Sequence, residues 1–270
     1  MIKTKNSSLM VVIALIFITA GIGACSSVPE PAGTKPRIGF LHESERPDMV
    51  TLLPQPPAKD SPAAEADRLA SERFLKLMNT ARWDQAIQDA AMRYPGGSAV
   101  FTCAAGLPLS DDTTPLTMKL MSTTAIEVAM STRAPKKHFQ RPRPFMVNGE
   151  PVCTPTGMKY LQKDGSYPSG HSAAGWVWGL LLAELLPENT NALVQRGRQF
   201  GQSRAVCNVH WQSDIEQGRI AGSLLLARLH GNADFRAALA DARDELTAVA
   251  AKNLPLGRDC AAEAAALALE

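Results

Sequence analysis

Apolar residues recur at helical spacing along almost the whole chain after residue 63, and this pattern limits the possible folds most. It marks residues 64–79, 83–94, 169–186, 190–204, 207–230 and 233–252. A capped, proline-containing start near Asp111–Pro115 predicts another helix to about Thr132, followed by a long loop over 134–167. No alternating segment is long enough to predict a strand. The sequence therefore predicts an all-α fold, a single-domain helical bundle over residues 63–270, closed by a short helix near 261–269.

The N-terminus has the layout of an export signal. Lys3 and Lys5 precede an uncharged run over residues 9–24 that ends in small residues. Ile22-Gly23-Ala24-Cys25 resembles a bacterial lipobox, so we predict a signal peptide over 1–24 with a lipid on Cys25. Cleavage near Ala24 without lipidation is the alternative. Because Ser26 follows the cysteine, we expect a periplasmic lipoprotein anchored at the outer membrane.

A proline-rich segment over residues 25–62 follows the signal. Its composition predicts an extended tether that leaves the membrane and then wraps onto the helical domain. The apolar run before it is the only one in the chain that could contact a bilayer, which excludes a protein with several membrane spans. The net charge is only +2, so neither nucleic acid nor a charged membrane surface is required as a partner.

Export places the remaining cysteines, Cys103, Cys153, Cys207 and Cys260, in an oxidising compartment, where an even number predicts disulfides. Four cysteines allow three pairings, and we expect Cys103 with Cys153 and Cys207 with Cys260. No two of them have the close spacing of paired metal ligands, so no metal site is expected.

Three separated segments carry the residue types of a reactive site. The first contains Lys136 and, seven residues later, Arg143 before a proline, in a basic stretch. Taken alone, this stretch is typical of a solvated loop or a surface patch that binds nucleic acid.

The second segment, Pro168-Ser169-Gly170-His171, begins a predicted helix, where free backbone N–H groups and the helix dipole favour an anion. Ser169 adds a hydroxyl, Gly170 permits close approach to the backbone, and His171 lies in the first turn. A histidine that only caps a helix start is the alternative.

The third segment contains Arg204, His210 and Asp214. His210 and Asp214 are four residues apart, so on one helix they share a face, and the carboxylate would fix the imidazole tautomer. A weak solvent-exposed pair is the alternative. Arg204 precedes this helix and has the planar guanidinium that grips two oxygens of a tetrahedral anion.

Together these groups match one ligand. A dianionic phosphoryl group that is attacked in line would use all of them: three cations, an anion site at a helix start, two histidines and one carboxylate. One histidine would attack, and the other would protonate the leaving oxygen.

The three segments resemble the signature of the type 2 phosphatidic acid phosphatase superfamily, which also contains the vanadium-dependent haloperoxidases. All eleven fixed positions match, and the stretches around residues 164–167 and 210–214 resemble the bacterial class A non-specific acid phosphatases in particular. The resemblance implies the helical fold of that superfamily over roughly residues 50–250. The lipobox and the number of cysteines depart from the family pattern, and these departures concern localisation and disulfides.

The resemblance also implies a mechanism. His210 would form a covalent phosphohistidine, Asp214 would orient it, and His171 would serve as general acid and then base. The phosphate would be bound by the remaining signature residues: Lys136, Arg143, Ser169, Gly170 and Arg204.

A metal-independent acid phosphatase for small phosphate monoesters follows from this resemblance, with vanadate as an inhibitor, no cofactor and an acidic optimum. Transfer of the phosphoryl group to alcohols and a homo-oligomer are further expectations. The alternatives are a haloperoxidase and a non-catalytic phosphate-binding lipoprotein. The sequence does not identify the physiological substrate.

Overall fold

The computed structural model describes Met1, residues 39–92 and residues 97–269, and across these residues the chain is helical, with no strand. The predicted all-α class is therefore confirmed. The α-helices, in chain order, are α1 Met49–Leu52, α2 Pro62–Leu75, α3 Ala81–Asp89, α4 Thr102–Ala105, α5 Pro115–Phe139, α6 Pro144–Asn148, α7 Met158–Leu161, α8 Gly170–Leu185, α9 Thr190–Val206, α10 Gln212–His230, α11 Ala233–Ala250 and α12 Cys260–Leu267. None of the helices in this part of the chain is long and apolar enough to cross a membrane.

Helix α8 lies at the centre of the core. It is apolar on nearly all sides, as a helix surrounded by other helices must be, and α5, α9 and α10 pack around it. Glycine permits the closest of these contacts, because a Cβ added at Gly179 would lie only 2.8 Å from the carbonyl oxygen of Leu193 on α9. The same close packing brings the first turn of α10 beside the first turn of α8, where Ser169 N–H donates to the carbonyl of Asp214 at 2.9 Å.

Helix α5 extends further than the sequence predicts. We expected it to end near Thr132, with a loop over 134–167, because that stretch contains many proline and glycine residues, and a proline such as Pro135 normally breaks a helix. The helix instead continues through Pro135 to Phe139, and Lys136 lies on its last turn. Ser131, Thr132 and Pro135 are buried, so we attribute the continuation to tertiary packing that outweighs the cost of the proline. The expected loop also contains the short helices α6 and α7.

Residues 39–62 cover the later part of the predicted tether. Leu41, Met49 and Leu53 from this segment are buried in the main core cluster, and Asp48 caps α1. Leu41 N–H donates to the buried carboxylate of Glu127 on α5 at 2.8 Å. The predicted signal peptide and Cys25 lie outside the described residues.

The expected disulfide pairing is wrong. The structure joins Cys103 to Cys260 and Cys153 to Cys207. The first bond attaches the C-terminal helix α12 to α4, and the second attaches the loop after α6 to the end of α9. Spacing along the chain could not distinguish the three pairings, because the pairing depends on which helix ends meet in three dimensions.

Candidate active site

Each signature segment contributes one end of a helix to the same region. The C-terminal turn of α5 carries Lys136, the N-terminal turn of α8 carries His171, and the C-terminal turn of α9 carries Arg204. His210 lies in the turn between α9 and α10, and Arg143 precedes α6. Six of the eight predicted residues line one cavity of about 560 Å³; they are Lys136, Arg143, Gly170, His171, Arg204 and His210.

The other two predicted residues lie behind the cavity wall. Asp214 is fully buried next to His210. Ser169 is also fully buried and serves as the N-cap of α8, where its hydroxyl oxygen accepts hydrogen bonds from Ser172 N–H at 3.2 Å and from the Ser172 hydroxyl at 2.8 Å. Because Ser169 Oγ acts as an acceptor in both bonds, its own hydroxyl hydrogen remains available for another acceptor.

His210 and Asp214 meet, but not on the face of one helix as expected. Helix α10 begins only at Gln212, after a turn in which Asn208 adopts a left-handed conformation with φ of 59°. Asp214 lies in the first turn of α10, where its Oδ2 accepts from Trp211 N–H at 2.9 Å and lies 3.4 Å from His210 Nδ1. The carboxylate therefore acts as a helix cap as well as the partner of the imidazole.

The hydrogen bonds of His210 define its tautomer. Arg143 Nη1 lies 3.0 Å from His210 Nε2, and a guanidinium can only donate, so Nε2 carries a lone pair. An ionised carboxylate can only accept, so the proton of the neutral ring is on Nδ1, facing Asp214. His210 lines the cavity, and Nε2 is the ring nitrogen that Asp214 does not hold, so Nε2 is the nitrogen that can act as a nucleophile.

His171 is held by the backbone. Its Nε2 lies 3.1 Å from the carbonyl oxygen of Ala90, just after α3, so Nε2 carries the hydrogen and Nδ1 is the nitrogen left for a reacting group. The ring also stacks on Phe200 of α9, with ring centroids 6.3 Å apart. These two contacts fix its orientation.

The three cations differ in what their donors contact. Every N–H group of Arg143 has a protein acceptor, including Asp164 Oδ2 at 3.0 Å. Lys136 Nζ also contacts Asp164 Oδ2, at 2.9 Å. Arg204, in contrast, has two buried donors, Nε and Nη1, that contact no acceptor within the described residues. Unsatisfied buried guanidinium donors are costly, which makes Arg204 the clearest anion-binding group in the cavity.

Burial and the cations determine the charges of the site. Burial is the largest cause that lowers the pKa of both His171 and His210 well below the usual value, and Arg143, Lys136 and Arg204 lower both further. Burial lowers the pKa of Lys136 to about 8, although Asp164 opposes this change. Both histidines are therefore neutral in this structure near neutral pH, and His210 is ready to act as a nucleophile.

Sequence reasoning missed three residues that complete the site. Arg141 Nη1 contacts Asp214 Oδ1 at 2.6 Å, and its Nη2 contacts Asp67 Oδ2 on α2 at 2.7 Å. Asp164 pairs with two of the cations. The position of Arg141, two residues before Arg143, was visible in the sequence. Nothing in the sequence indicated Asp67, because only the fold brings α2 to this position.

A larger groove lies elsewhere. It has a volume of about 1080 Å³, runs beside α9 and α12, and is lined by none of the eight predicted site residues. The chemistry therefore belongs to the smaller cavity. Within the described parts of the chain, no group of three or more His, Cys, Asp or Glu side chains could hold a metal ion.

Comparison with known proteins agrees with this geometry. The model of the PAP2 superfamily matches residues 116–235, which include all three signature segments. The chain is 38% identical to a non-specific acid phosphatase of Providencia stuartii over 85% of its own length and 93% of that relative. It is 36% identical to a non-specific acid phosphatase of Salmonella typhimurium, over 77% of this chain and 83% of the relative. An acid phosphatase of Zymomonas mobilis is 37% identical, with 74% and 75% of the two chains covered.

A helical fold that joins two histidines and three cations in one cavity, within the region that the family model matches, places the chain in the PAP2 superfamily. Within that superfamily, the chain belongs to the family of bacterial non-specific acid phosphatases. The predicted resemblance and the enzyme class are thus confirmed.

Proposed function

We propose that this enzyme hydrolyses phosphate monoesters without a metal ion, through a covalent phosphohistidine on His210. The observation that supports this most directly is the tautomer of the cavity-lining His210, in which Asp214 accepts from Nδ1–H and the lone pair is on Nε2. A binding protein would not require a nucleophile held in this way. The relatives' names, non-specific acid phosphatase and acid phosphatase, point in the same direction.

In the first step, His210 Nε2 attacks phosphorus, and the bond from phosphorus to the leaving oxygen breaks. For this to occur, Arg143 Nη1 must turn from Nε2 to an oxygen of the phosphoryl group. His171 donates its proton to the leaving oxygen, so the alcohol departs neutral. Lys136, Arg143 and Arg204 balance the charge of the phosphoryl oxygens, helped by the Ser169 hydroxyl and the Gly170 N–H group at the start of α8.

In the second step, a water molecule attacks phosphorus, and His171 accepts its proton. The bond between Nε2 and phosphorus breaks, and inorganic phosphate leaves. An alcohol in place of water would take the phosphoryl group, so we also propose a transferase side activity. It would appear as a new phosphate ester when an acceptor alcohol is added to the assay.

His171 must carry a proton in the first step, although its pKa is lowered well below the usual value by burial and by the cations. A bound phosphoryl dianion offsets those cations and raises the pKa of His171. The proton therefore arrives with the substrate, and activity should fall as pH rises. This reasoning supports an acidic optimum.

Hydrolysis of p-nitrophenyl phosphate at acidic pH tests the proposal. His210→Ala should abolish turnover, whereas His230→Ala, a change at an exposed histidine at the end of α10, should not. Vanadate should inhibit, and EDTA should leave the rate unchanged. Activity that disappears with EDTA and returns with zinc or magnesium would contradict the proposed mechanism.

We further propose that the enzyme is exported to the periplasm and anchored in the outer membrane through a lipid on Cys25. The N-terminal sequence pattern supports this. Cys25→Ser should release the enzyme from the membrane fraction and prevent incorporation of labelled palmitate; a soluble wild-type protein would contradict it. We also propose that the enzyme forms a homo-oligomer. Its mass in solution, measured by light scattering, would test this.

A further inference from the structure

The active-site cavity continues well beyond the phosphate-binding groups. Along α5 it is lined by Ala125, Val128, Ala129, Met130, Thr132 and Arg133 before it reaches Lys136. Except for Met130, these positions recur every three or four residues and so form one face of the helix. From Ala125 to Lys136 the helix rises about 16 Å, which is much longer than a phosphate group.

The walls of this extension are mostly apolar. Met92, Val128, Ala129 and Leu161 line it, and Tyr160 lies at its rim with 70% of its surface exposed. Because the phosphate lies at the Lys136 end, this extension is where the leaving group of a substrate must lie. An aromatic or similarly flat leaving group would find apolar contacts there.

One charged side chain interrupts the apolar walls. Apart from the groups around the phosphate position, Arg133 is the only charged residue lining the cavity among those that the structure describes. It is exposed, and within the described residues it forms no hydrogen bond or ion pair. Arg133 lies three residues before Lys136 on the same face of α5, so the two side chains are neighbours.

A guanidinium without a partner beside a leaving-group site is complementary to an anion on the leaving group. We propose that Arg133 is a specificity-determining residue that favours phosphate monoesters whose leaving group carries a second negative charge. This inference rests on the proposed function, because it assumes that the cavity binds a monoester with its phosphate near Lys136.

Two substrates of nearly equal shape test this inference: 4-carboxyphenyl phosphate and 4-carbamoylphenyl phosphate. The first carries the extra anion, and the second replaces it with a neutral amide. The wild-type enzyme should have the higher kcat/KM for the carboxylate. In Arg133→Gln the ratio of the two kcat/KM values should fall by about fivefold, the size expected for an exposed ion pair. Arg133→Lys keeps the charge and should preserve most of the ratio.

The control is Arg243→Gln on α11, which removes an exposed arginine that does not line the cavity and should leave the ratio unchanged. Added salt should lower the ratio of the wild type but not that of Arg133→Gln. Equal losses on both substrates in Arg133→Gln would overturn the inference, because Arg133 would then bind the phosphate itself. A wild-type ratio at or below one would overturn it as well. If the wild type hydrolyses neither compound, the proposed function fails, which is a distinct outcome.

Discussion

Arg141→Gln should move the acidic limb of the pH profile to higher pH. Arg141 contacts both carboxylates behind the nucleophile, with Nη1 2.6 Å from Asp214 Oδ1 and Nη2 2.7 Å from Asp67 Oδ2. Burial raises the pKa of Asp214, and Arg141 is the largest influence that lowers it. Without Arg141, Asp214 should bind a proton at a higher pH and lose the charge that holds His210 Nδ1–H.

The magnitude follows from the burial of this pair. Asp214 is fully buried, and Arg141 is only 11% exposed. Removing one partner of such a pair costs about 3–5 kcal/mol, because the other charge remains buried. Protonation of Asp214 relieves that cost, and one pKa unit corresponds to about 1.4 kcal/mol. The pKa of Asp214 should therefore rise by roughly 2–4 units, and the acidic limb of kcat/KM should move by the same amount.

The assay is the pH profile of kcat/KM for p-nitrophenyl phosphate, measured in the wild type, Arg141→Gln and Arg141→Lys. Lysine retains the charge and should restore part of the acidic limb. Arg228→Gln, which removes a partly exposed arginine paired with Glu45, is the matched control and should reproduce the wild-type profile. Urea unfolding at each pH reports whether the variants stay folded. A uniform loss of kcat at every pH, with the limb in its original place, would refute the reasoning.

Other changes test single features of the site and the fold. Asp164→Asn removes the carboxylate that occupies two phosphate-binding cations, so it should lower the inhibition constant of inorganic phosphate at acidic pH; a higher constant would mean that Asp164 positions the cations. Replacing Cys153 and Cys207 by serine should lower the free energy of unfolding by about 2–4 kcal/mol, as measured with urea. Gly179→Ala should cost about 1–3 kcal/mol, because its Cβ would contact the Leu193 carbonyl, and a neutral effect would contradict that packing. As pH falls below about 6.5, the unfolded chain takes up protons on His171 and His210, which the folded site keeps neutral. The melting temperature should therefore fall with pH, and added phosphate should restore part of it.

The fold class and most of the charged and histidine residues of the cavity could be predicted from the sequence because they depend on local patterns. Helical spacing marked the long helices, and three short segments contained all of the charged groups that the structure places around the cavity except Arg133 and Asp164. The start of α8 was also predictable, because Ser169 and Gly170 are typical of a helix N-terminus.

What the sequence could not provide depends on tertiary packing. Because a proline normally ends a helix, the continuation of α5 to Lys136 could not be predicted. The burial of Pro135 and its neighbours in the folded protein explains it. The contact between His210 and Asp214 was expected from their spacing on one helix, which was the wrong reason. A tight turn before α10 and the helix cap made by Asp214 bring the two residues together. Asp67 is distant along the chain from Arg141, and each cysteine is distant from its disulfide partner. No local sequence pattern indicates that such residues meet in the fold.

The most direct test of the account is to identify the covalent intermediate. The enzyme would be mixed with a phosphate monoester, quenched in alkali within the first turnover, digested, and analysed by mass spectrometry for the phosphorylated residue. The account predicts a phosphoryl group on His210 that appears before steady state, decays when substrate is exhausted, and is absent from His210→Ala. A phosphoryl group on another residue, or rapid turnover with no phosphoenzyme at any time, would contradict it.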